Sequence, residues 1–431
     1  MEKTHKSFRY WRIRVVVSLI FGYACYYMMR NNFTLLRASE KCPFSAETIG
    51  WAFSAYSVIY GISKFIAGVA CDRTSARRFM VIGLAIAALC NCFAGFSAAA
   101  WLYGLLYAVS AFPQSMGFPA IGKILTRWFS IQKLGTVWGC VGTAGPIGSA
   151  LTYVIGGRLL EYCDWQWLFF IPGIFCLLFA CFLSKCLRDT PEAAGLPVSE
   201  RKDGTFLPEA AREEPASKSS VWNTLNRHVF RNTRLWMASF ANFFIYLIYS
   251  GLRCWGPVMF VETLGCSVAK AGLIMGIIEV GNLLGAVVLG RFTDRYMPNK
   301  RGLCLAILML CVACTAASLG LCHTADPSDV HGTVRILPIL LWIGIGFCIS
   351  GPQSLCTLLA AEFGSEKATA AAVGFTGLTG YAGAFVSGIG IATLSKNFGW
   401  QSIPMFFAVA AFLGSVFFLL TLGKPQSKQS V

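Results

Sequence analysis

Residues 68–78 read GVACDRTSARR, and residues 290–301 read GRFTDRYMPNKR. Each is a G-x-x-x-D-R followed by a basic pair, each closes an apolar stretch, and the two lie 222 residues apart. A charged turn at the end of an apolar run marks the point where a chain leaves one membrane-length helix and enters the next. Two further echoes keep the same order: MGFPAIGK (116–123) with ISGPQSL (349–355), and DWQW (164–167) with GWQS (399–402). The chain reads as a duplication.

Working outward from these turns, stretches of about 18 or more mostly apolar residues give twelve spans: 13–35, 48–70, 79–97, 101–124, 134–157, 165–186, 235–261, 271–292, 302–322, 335–358, 370–393 and 401–422. The chain is 56% hydrophobic and only 13% charged, with a mean hydropathy of +0.61. That is too apolar for a soluble globule. The first span lacks a small-residue cleavage pattern and is read as retained.

The net charge of +16 would suit nucleic-acid binding in a soluble protein. Here the basic residues follow topology instead: Lys3, Lys6, Arg9, Arg12 and Arg14 precede the first span, and Arg73, Arg77 and Arg78 follow the second. The loops after odd-numbered spans carry few, among them Arg37, Lys41, Arg158, Lys270 and Lys396. The positive-inside rule then places both termini in the cytoplasm. Residues 187–234, rich in charge, Pro, Ser and Ala, separate a six-span half (1–186) from a second (235–431). Nucleic acid is not an expected partner, and the protein is expected to be monomeric in its bilayer. The 18 cysteines fall mostly in apolar segments, where a thiol packs as a small hydrophobe, and no disulfide framework is expected.

An ionised side chain at bilayer depth costs about 2.5–3.5 kcal/mol on insertion scales, so each such residue is a functional candidate. They are Arg30, Lys64, Lys123, Arg253 and Glu279, four of them cationic. At 3.6 residues per turn, Tyr23, Tyr27 and Arg30 share one helix face, as do Tyr60 and Lys64, and as do Tyr246, Tyr249 and Arg253. A guanidinium offers a planar fork that matches two phosphate oxygens, lysine adds a compact charge, and tyrosine donates hydrogen bonds without charge. Such a set suits free phosphate or a phosphorylated small molecule. Read from the residues alone, Arg30 either holds an anion or reaches the outer interface, Lys123 snorkels to the cytoplasmic side rather than binds, and Glu279 is either a partner for a buried cation or a proton carrier. No nucleophile–base pair, metal-spaced His/Cys cluster or phosphate-cradling loop is present, so neither an enzyme nor a cofactor is expected.

The duplicated pattern resembles the major facilitator superfamily, which implies an all-α membrane protein of twelve transmembrane helices in two six-helix halves. In that frame Gly68 and Gly290 are expected to let helices approach closely. Asp72 with Arg73 and Asp294 with Arg295 are expected, with Glu279, to couple conformational change. FGYACYYMMRNNF, YGISKFIAG, CLRDTPEAAGLP and GPQSLCTLLAAEFGSEKATAAAVGFTGLTGYAG resemble, more narrowly, the organophosphate:phosphate antiporter family, over residues 8–420. The resemblance implies a phosphate-binding role for Arg30, a supporting cation at Lys64, aromatic lining by Tyr23, Tyr27 and Tyr60, and a matching Gln114.

Two departures stand out. The family's second basic residue falls six positions before the tryptophan of W-x-P, where this chain has Tyr249, and Arg253 comes four residues later. That is about 6 Å of helical rise. Bacterial members often carry a histidine in span five, where this chain has Gly142. None of His5, His228, His323 and His331 lies well inside a span, which excludes a histidine proton relay.

The resemblance implies exchange of a sugar phosphate, a hexose phosphate such as glucose-6-phosphate, for inorganic phosphate by rocker-switch alternating access, with the anion between Arg30 and Arg253. The alternatives are a membrane sugar-phosphate sensor on the same fold, or an organic-anion proton symporter using Glu279. The tail KPQSKQSV has no endoplasmic-reticulum retrieval signal, and a bacterial plasma (inner) membrane is expected.

Overall fold

The computed structural model describes the chain except for residues 1, 98, 130, 197–228, 298–299, 325–335, 364–368 and 423–431, and it is helical nearly throughout. The first half runs α1 (Glu2–Leu35), α2 (Ala46–Asp72), α3 (Ala76–Gly95), α4 (Ala100–Ser115), α5 (Gly117–Trp128), α6 (Ile131–Gly142), α7 (Ala144–Tyr162) and α8 (Trp167–Cys186). The second runs α9 (Thr233–Leu264), α10 (Val268–Tyr296), α11 (Arg301–Thr324), α12 (Ile336–Phe363), α13 (Thr369–Phe398) and α14 (Ile403–Leu420). Among the described residues, nine of these stretches are long and apolar enough to span a bilayer unaided. The expected spans 48–70, 101–124 and 134–157 correspond to α2, to α4 with α5, and to α6 with α7. This is the all-α, two-half architecture expected of the duplication.

The interruptions of the fourth and fifth spans have a common cause. Proline cannot donate to the carbonyl four residues before it. Pro119 leaves Ser115 unpaired in this sense and Pro146 leaves Gly142, and α4 and α6 end at those two residues. Elsewhere the helices start and stop by local chemistry. The hydroxyls of Ser45 and Ser75 and the amide of Asn232 cap α2, α3 and α9 by accepting from Thr48, Arg78 and Leu235 N–H. Gly265, at φ 58°, closes α9 in the left-handed conformation that glycine adopts without a Cβ penalty.

By contacts the chain divides into two units, one of Met1–Pro215 with Ser267–Gly276 and the other of Ala216–Cys266 with Ile277–Val431. The same helix pairs recur in both halves: α1 with α7 and α9 with α13, α3 with α8 and α11 with α14, α1 with α8 and α9 with α14. In lipid, helix association rests on close van der Waals packing at small residues rather than on a hydrophobic force. A Cβ on Gly148 would lie 2.3 Å from the Ala24 carbonyl oxygen, and one on Gly383 would lie 2.1 Å from that of Phe243. These equivalent contacts seat α7 on α1 and α13 on α9. The close approach expected at Gly68 and Gly290 is not found there, since a Cβ at either would meet no described atom within 4 Å.

Along α1 one stripe, Val15, Leu19, Tyr23, Tyr26, Met29 and Phe33, is buried, while Ile13, Val17 and Phe21 are exposed. Large exposed apolar side chains recur on α3, α8, α10 and α14, as hydrocarbon rather than water requires. The described cysteines are free thiols.

Candidate anion site

In the first unit, α1 carries Tyr23, Tyr27 and Arg30 at the spacing of one face. Arg30 is half-buried, and its guanidinium carbon lies 4.6 Å from the Tyr27 ring centroid, 4.5 Å from that of Tyr60 and 5.7 Å from that of Tyr56. Cation–aromatic contacts of this kind are worth about 0.5–2 kcal/mol, most when desolvated. Arg30 Nε donates to Gln114 Oε1 at 3.1 Å. Its Nη2 is buried and has no hydrogen-bond partner. A buried donor left unsatisfied costs about 1–3 kcal/mol, more on a charged group, so this nitrogen is a place where an oxyanion gains most.

Lys64, two turns beyond Tyr56 on α2, sets its ammonium 4.5 Å from the Phe118 ring centroid. Phe118 packs in turn on Tyr23, centroids 6.4 Å apart, and Tyr23 meets Tyr27 edge-to-face at 5.3 Å. Tyr23, Tyr27, Arg30, Tyr60, Lys64 and Gln114 therefore belong to one continuous cluster. The sequence reading missed Tyr56, Ser110 and Phe118. Tyr56 was reachable, since YSVIY puts it one turn before Tyr60.

In the second unit Arg253 is bound differently. Its Nε and Nη2 donate to Oε1 and Oε2 of Glu279 at 2.6 and 2.8 Å, a two-pronged pair with side-chain exposures of 12% and 2%. Of the two roles left open for Glu279, the geometry is that of partner to a buried cation. Tyr249, at the family's second basic position, lies under the guanidinium, 4.7 Å from carbon to ring centroid. Tyr246 touches Tyr249 and Tyr381, at 6.2 and 5.7 Å between centroids. Tyr381 on α13 is a further residue the sequence reading missed.

The remaining candidates lie elsewhere. Arg73 and Arg295 are exposed at the ends of α2 and α10, and the side chains of Asp72 and Asp294 lie outside the described residues. Lys123 reaches the turn between α2 and α3. Its ammonium donates to the Cys71 and Thr74 carbonyls at 2.8 and 2.9 Å, satisfying the C-terminal end of α2. From the other side of that turn, Asp189 of CLRDTPEAAGLP accepts from the Ser75 hydroxyl at 2.5 Å and from Arg77 N–H at 2.7 Å.

Residues 19–388 match the Major Facilitator Superfamily. A probable hexose phosphate transport protein of Chlamydia muridarum is 34% identical over 97% of this chain and 93% of its own. The membrane sensor protein UhpC of Escherichia coli is 29% identical over 98% and 95%. The inward-open xylose transporter XylE of E. coli shares the fold with a TM-score of 0.70 at 16% identity, over 98% of this chain and 97% of that one. With both its helical architecture and its sequence accounted for, the chain belongs to the organophosphate:phosphate antiporter family of the major facilitator superfamily and is a multi-pass membrane protein.

Proposed function

We propose that the protein exchanges a sugar phosphate, a hexose phosphate such as glucose-6-phosphate, for inorganic phosphate by alternating access, in a bacterial inner membrane with both termini in the cytoplasm. The observation that carries the reading is the buried, unpartnered Nη2 of Arg30 inside a cluster of neutral tyrosines and Gln114, with Lys64 close by. A phosphate group supplies the missing acceptor and the missing charge. Without an anion the cluster holds a desolvated cation with an open donor, and returning it empty is costly; with phosphate or an organophosphate it is neutralised. Exchange is thereby favoured over net flux. Arg253 has its charge taken up by Glu279, so Arg30 is the guanidinium on which anion recognition rests.

Proteoliposomes loaded with phosphate are expected to take up labelled glucose-6-phosphate, and unlabelled glucose-6-phosphate, glycerol-3-phosphate and phosphoenolpyruvate added in competition rank the substrates. Unchanged uptake by Arg30→Lys, which keeps the charge and loses the fork, would overturn the role given to Arg30. A sensor is the second reading, favoured by Tyr249 at the second basic position and by the UhpC relative. It predicts binding of labelled substrate without flux in the same vesicles.

A further inference from the structure

Gln114 sits in the last turn of α4, just before the interruption of the fourth span. An amide side chain has two orientations, and its neighbours decide between them. Ser110, one turn earlier, donates its hydroxyl hydrogen to the Tyr107 carbonyl at 2.6 Å. Its oxygen is thus left to accept, and it accepts from Gln114 Nε2 at 3.1 Å. The Gln114 oxygen is thereby turned the other way, toward two donors: Tyr56 O–H at 2.8 Å and Arg30 Nε at 3.1 Å. Tyr56, Ser110 and Gln114 are 4%, 1% and 1% exposed, so water does not compete for these bonds.

The consequence for Arg30 is geometric. A guanidinium has two edges suited to an oxyanion, one formed by Nε with Nη2 and the other by its two terminal nitrogens. The Nε edge is occupied by Gln114, and rings of Tyr27 and Tyr60 pack against the group. With Nε taken, the Nε edge no longer offers two prongs, and the unpartnered Nη2, which both edges share, is left to meet an oxyanion along the terminal edge.

We propose that Tyr56 and Ser110 are positioning residues for anion binding: through Gln114 they fix the Arg30 guanidinium so that its terminal edge, and not its Nε edge, receives the phosphate group of the ligand. This rests on the phosphate-binding reading of Arg30. Neither residue touches the anion. Ser110 sets the orientation of the amide, and Tyr56 holds the amide oxygen in place while its ring stacks between Tyr60 and Tyr107, centroids 5.6 and 4.5 Å away. Losing the Ser110 hydroxyl frees the amide to turn its own donors toward Arg30, which repels the guanidinium from its place.

The test uses the full-length protein in proteoliposomes and inorganic phosphate as probe, with binding read by calorimetry and exchange by labelled phosphate. Ser110→Ala and Tyr56→Phe each keep the packing and remove one hydroxyl. Both are expected to raise the phosphate KM and Kd by roughly five- to thirtyfold, the range of a lost hydrogen bond to a charged network, with kcat and thermal stability little changed. Ser110→Thr restores the hydroxyl and is expected to restore affinity. In a Gln114→Ala background, Tyr56→Phe is expected to add nothing further, because the link it acts through is gone. Wild-type affinity in both hydroxyl deletions, alongside its loss in Arg30→Lys, overturns the relay and leaves the anion site standing. Additive losses in the Gln114→Ala background overturn it equally, since they assign Tyr56 a separate, structural role. If the wild type neither binds nor exchanges phosphate, the functional reading itself falls.

Discussion

Arg253 and Glu279 face each other across α9 and α10 in a two-pronged ion pair, Nε to Oε1 at 2.6 Å and Nη2 to Oε2 at 2.8 Å. Desolvating both charges costs several kcal/mol, and the close geometry returns it only while both partners are present. The two halves of a duplicated chain thus hold their arginines in opposite conditions, Arg30 in a cluster with no carboxylate among its described contacts and Arg253 beside one.

The pair predicts an asymmetry between single and double substitutions. Arg253→Leu leaves Glu279 charged and alone in the interior, a loss of about 3–5 kcal/mol. Arg253→Leu with Glu279→Leu removes both charges and is expected to recover most of that loss. Glu279→Gln keeps the shape and releases the charge of Arg253, and is expected to tighten phosphate binding by roughly tenfold, the scale of one charged hydrogen bond. Thermal unfolding and phosphate calorimetry check the two effects separately. A double variant no more stable than Arg253→Leu would rule out the pair as the source of the loss.

The tyrosines around Arg30 make a second, graded prediction. Tyr60→Phe keeps the ring 4.5 Å from the guanidinium carbon and loses only the hydroxyl, whereas Tyr60→Leu loses the aromatic face as well. A cation–π contact of about 0.5–2 kcal/mol corresponds to a further two- to thirtyfold loss of anion affinity in the leucine variant. Equal affinities for Tyr60→Phe and Tyr60→Leu, measured by phosphate exchange, would show that the ring face contributes nothing.

What could be read from the sequence, and what could not, divides along the range of the interactions. The duplication was legible because G-x-x-x-D-R recurs after the same span in each half, and the helix faces because Tyr23, Tyr27 and Arg30 obey a period that one helix dictates by itself. The interruptions after Ser115 and Gly142 follow from Pro119 and Pro146, yet hydropathy alone ran each pair of helices together. The pairing of Arg253 with Glu279, 26 residues apart on different helices, depends on how those helices pack. So does the reach of Lys123 to the Cys71 and Thr74 carbonyls, whose identity no composition supplies. The orientation of Gln114 is set by the hydrogen of Ser110, a detail no periodicity records.

The turn between α2 and α3 carries a third prediction. It is held from one side by Lys123 on the carbonyls of Cys71 and Thr74 and from the other by Asp189 on the hydroxyl of Ser75 and the amide of Arg77. Asp189→Ala removes an acceptor that satisfies the first turn of α3, and losses of about 0.5–2 kcal/mol attend such deletions. Asp189→Asn keeps one acceptor oxygen and is expected to lose less. Lys123→Met, which keeps the stem and removes the ammonium, is expected to be destabilising without altering phosphate affinity. A large rise in the phosphate Kd of Lys123→Met would instead bring Lys123 into the binding set.

The last prediction concerns pH, at the far end of α7. Gly157 and Gly272 let the first turns of α10 lie against α7: a Cβ on Gly272 would fall 2.1 Å from the Tyr153 carbonyl oxygen. There the Glu161 carboxylate accepts from Ala269 N–H at 3.1 Å. Its pKa is held below the ordinary carboxyl value, first by a hydrogen bond from the Ser267 hydroxyl and then by that backbone amide, against a small opposing effect of burial. A carboxyl whose folded-state pKa is depressed contributes stability that is present above the unfolded value and lost as the pH falls through the folded one. The contribution is therefore complete at neutral pH and disappears in the acid range below the ordinary value of 4.5. Glu161→Gln cannot titrate, so the comparison isolates this one group from every other carboxyl in the chain. The stability difference between wild type and Glu161→Gln, read by thermal unfolding, is expected to be present at pH 7 and to close in the acid range below the ordinary carboxyl value, where the wild-type carboxyl takes up its proton. A difference that stays constant across that window, or that widens toward acid, would show that the carboxylate does not stabilise the start of α10 through its charge.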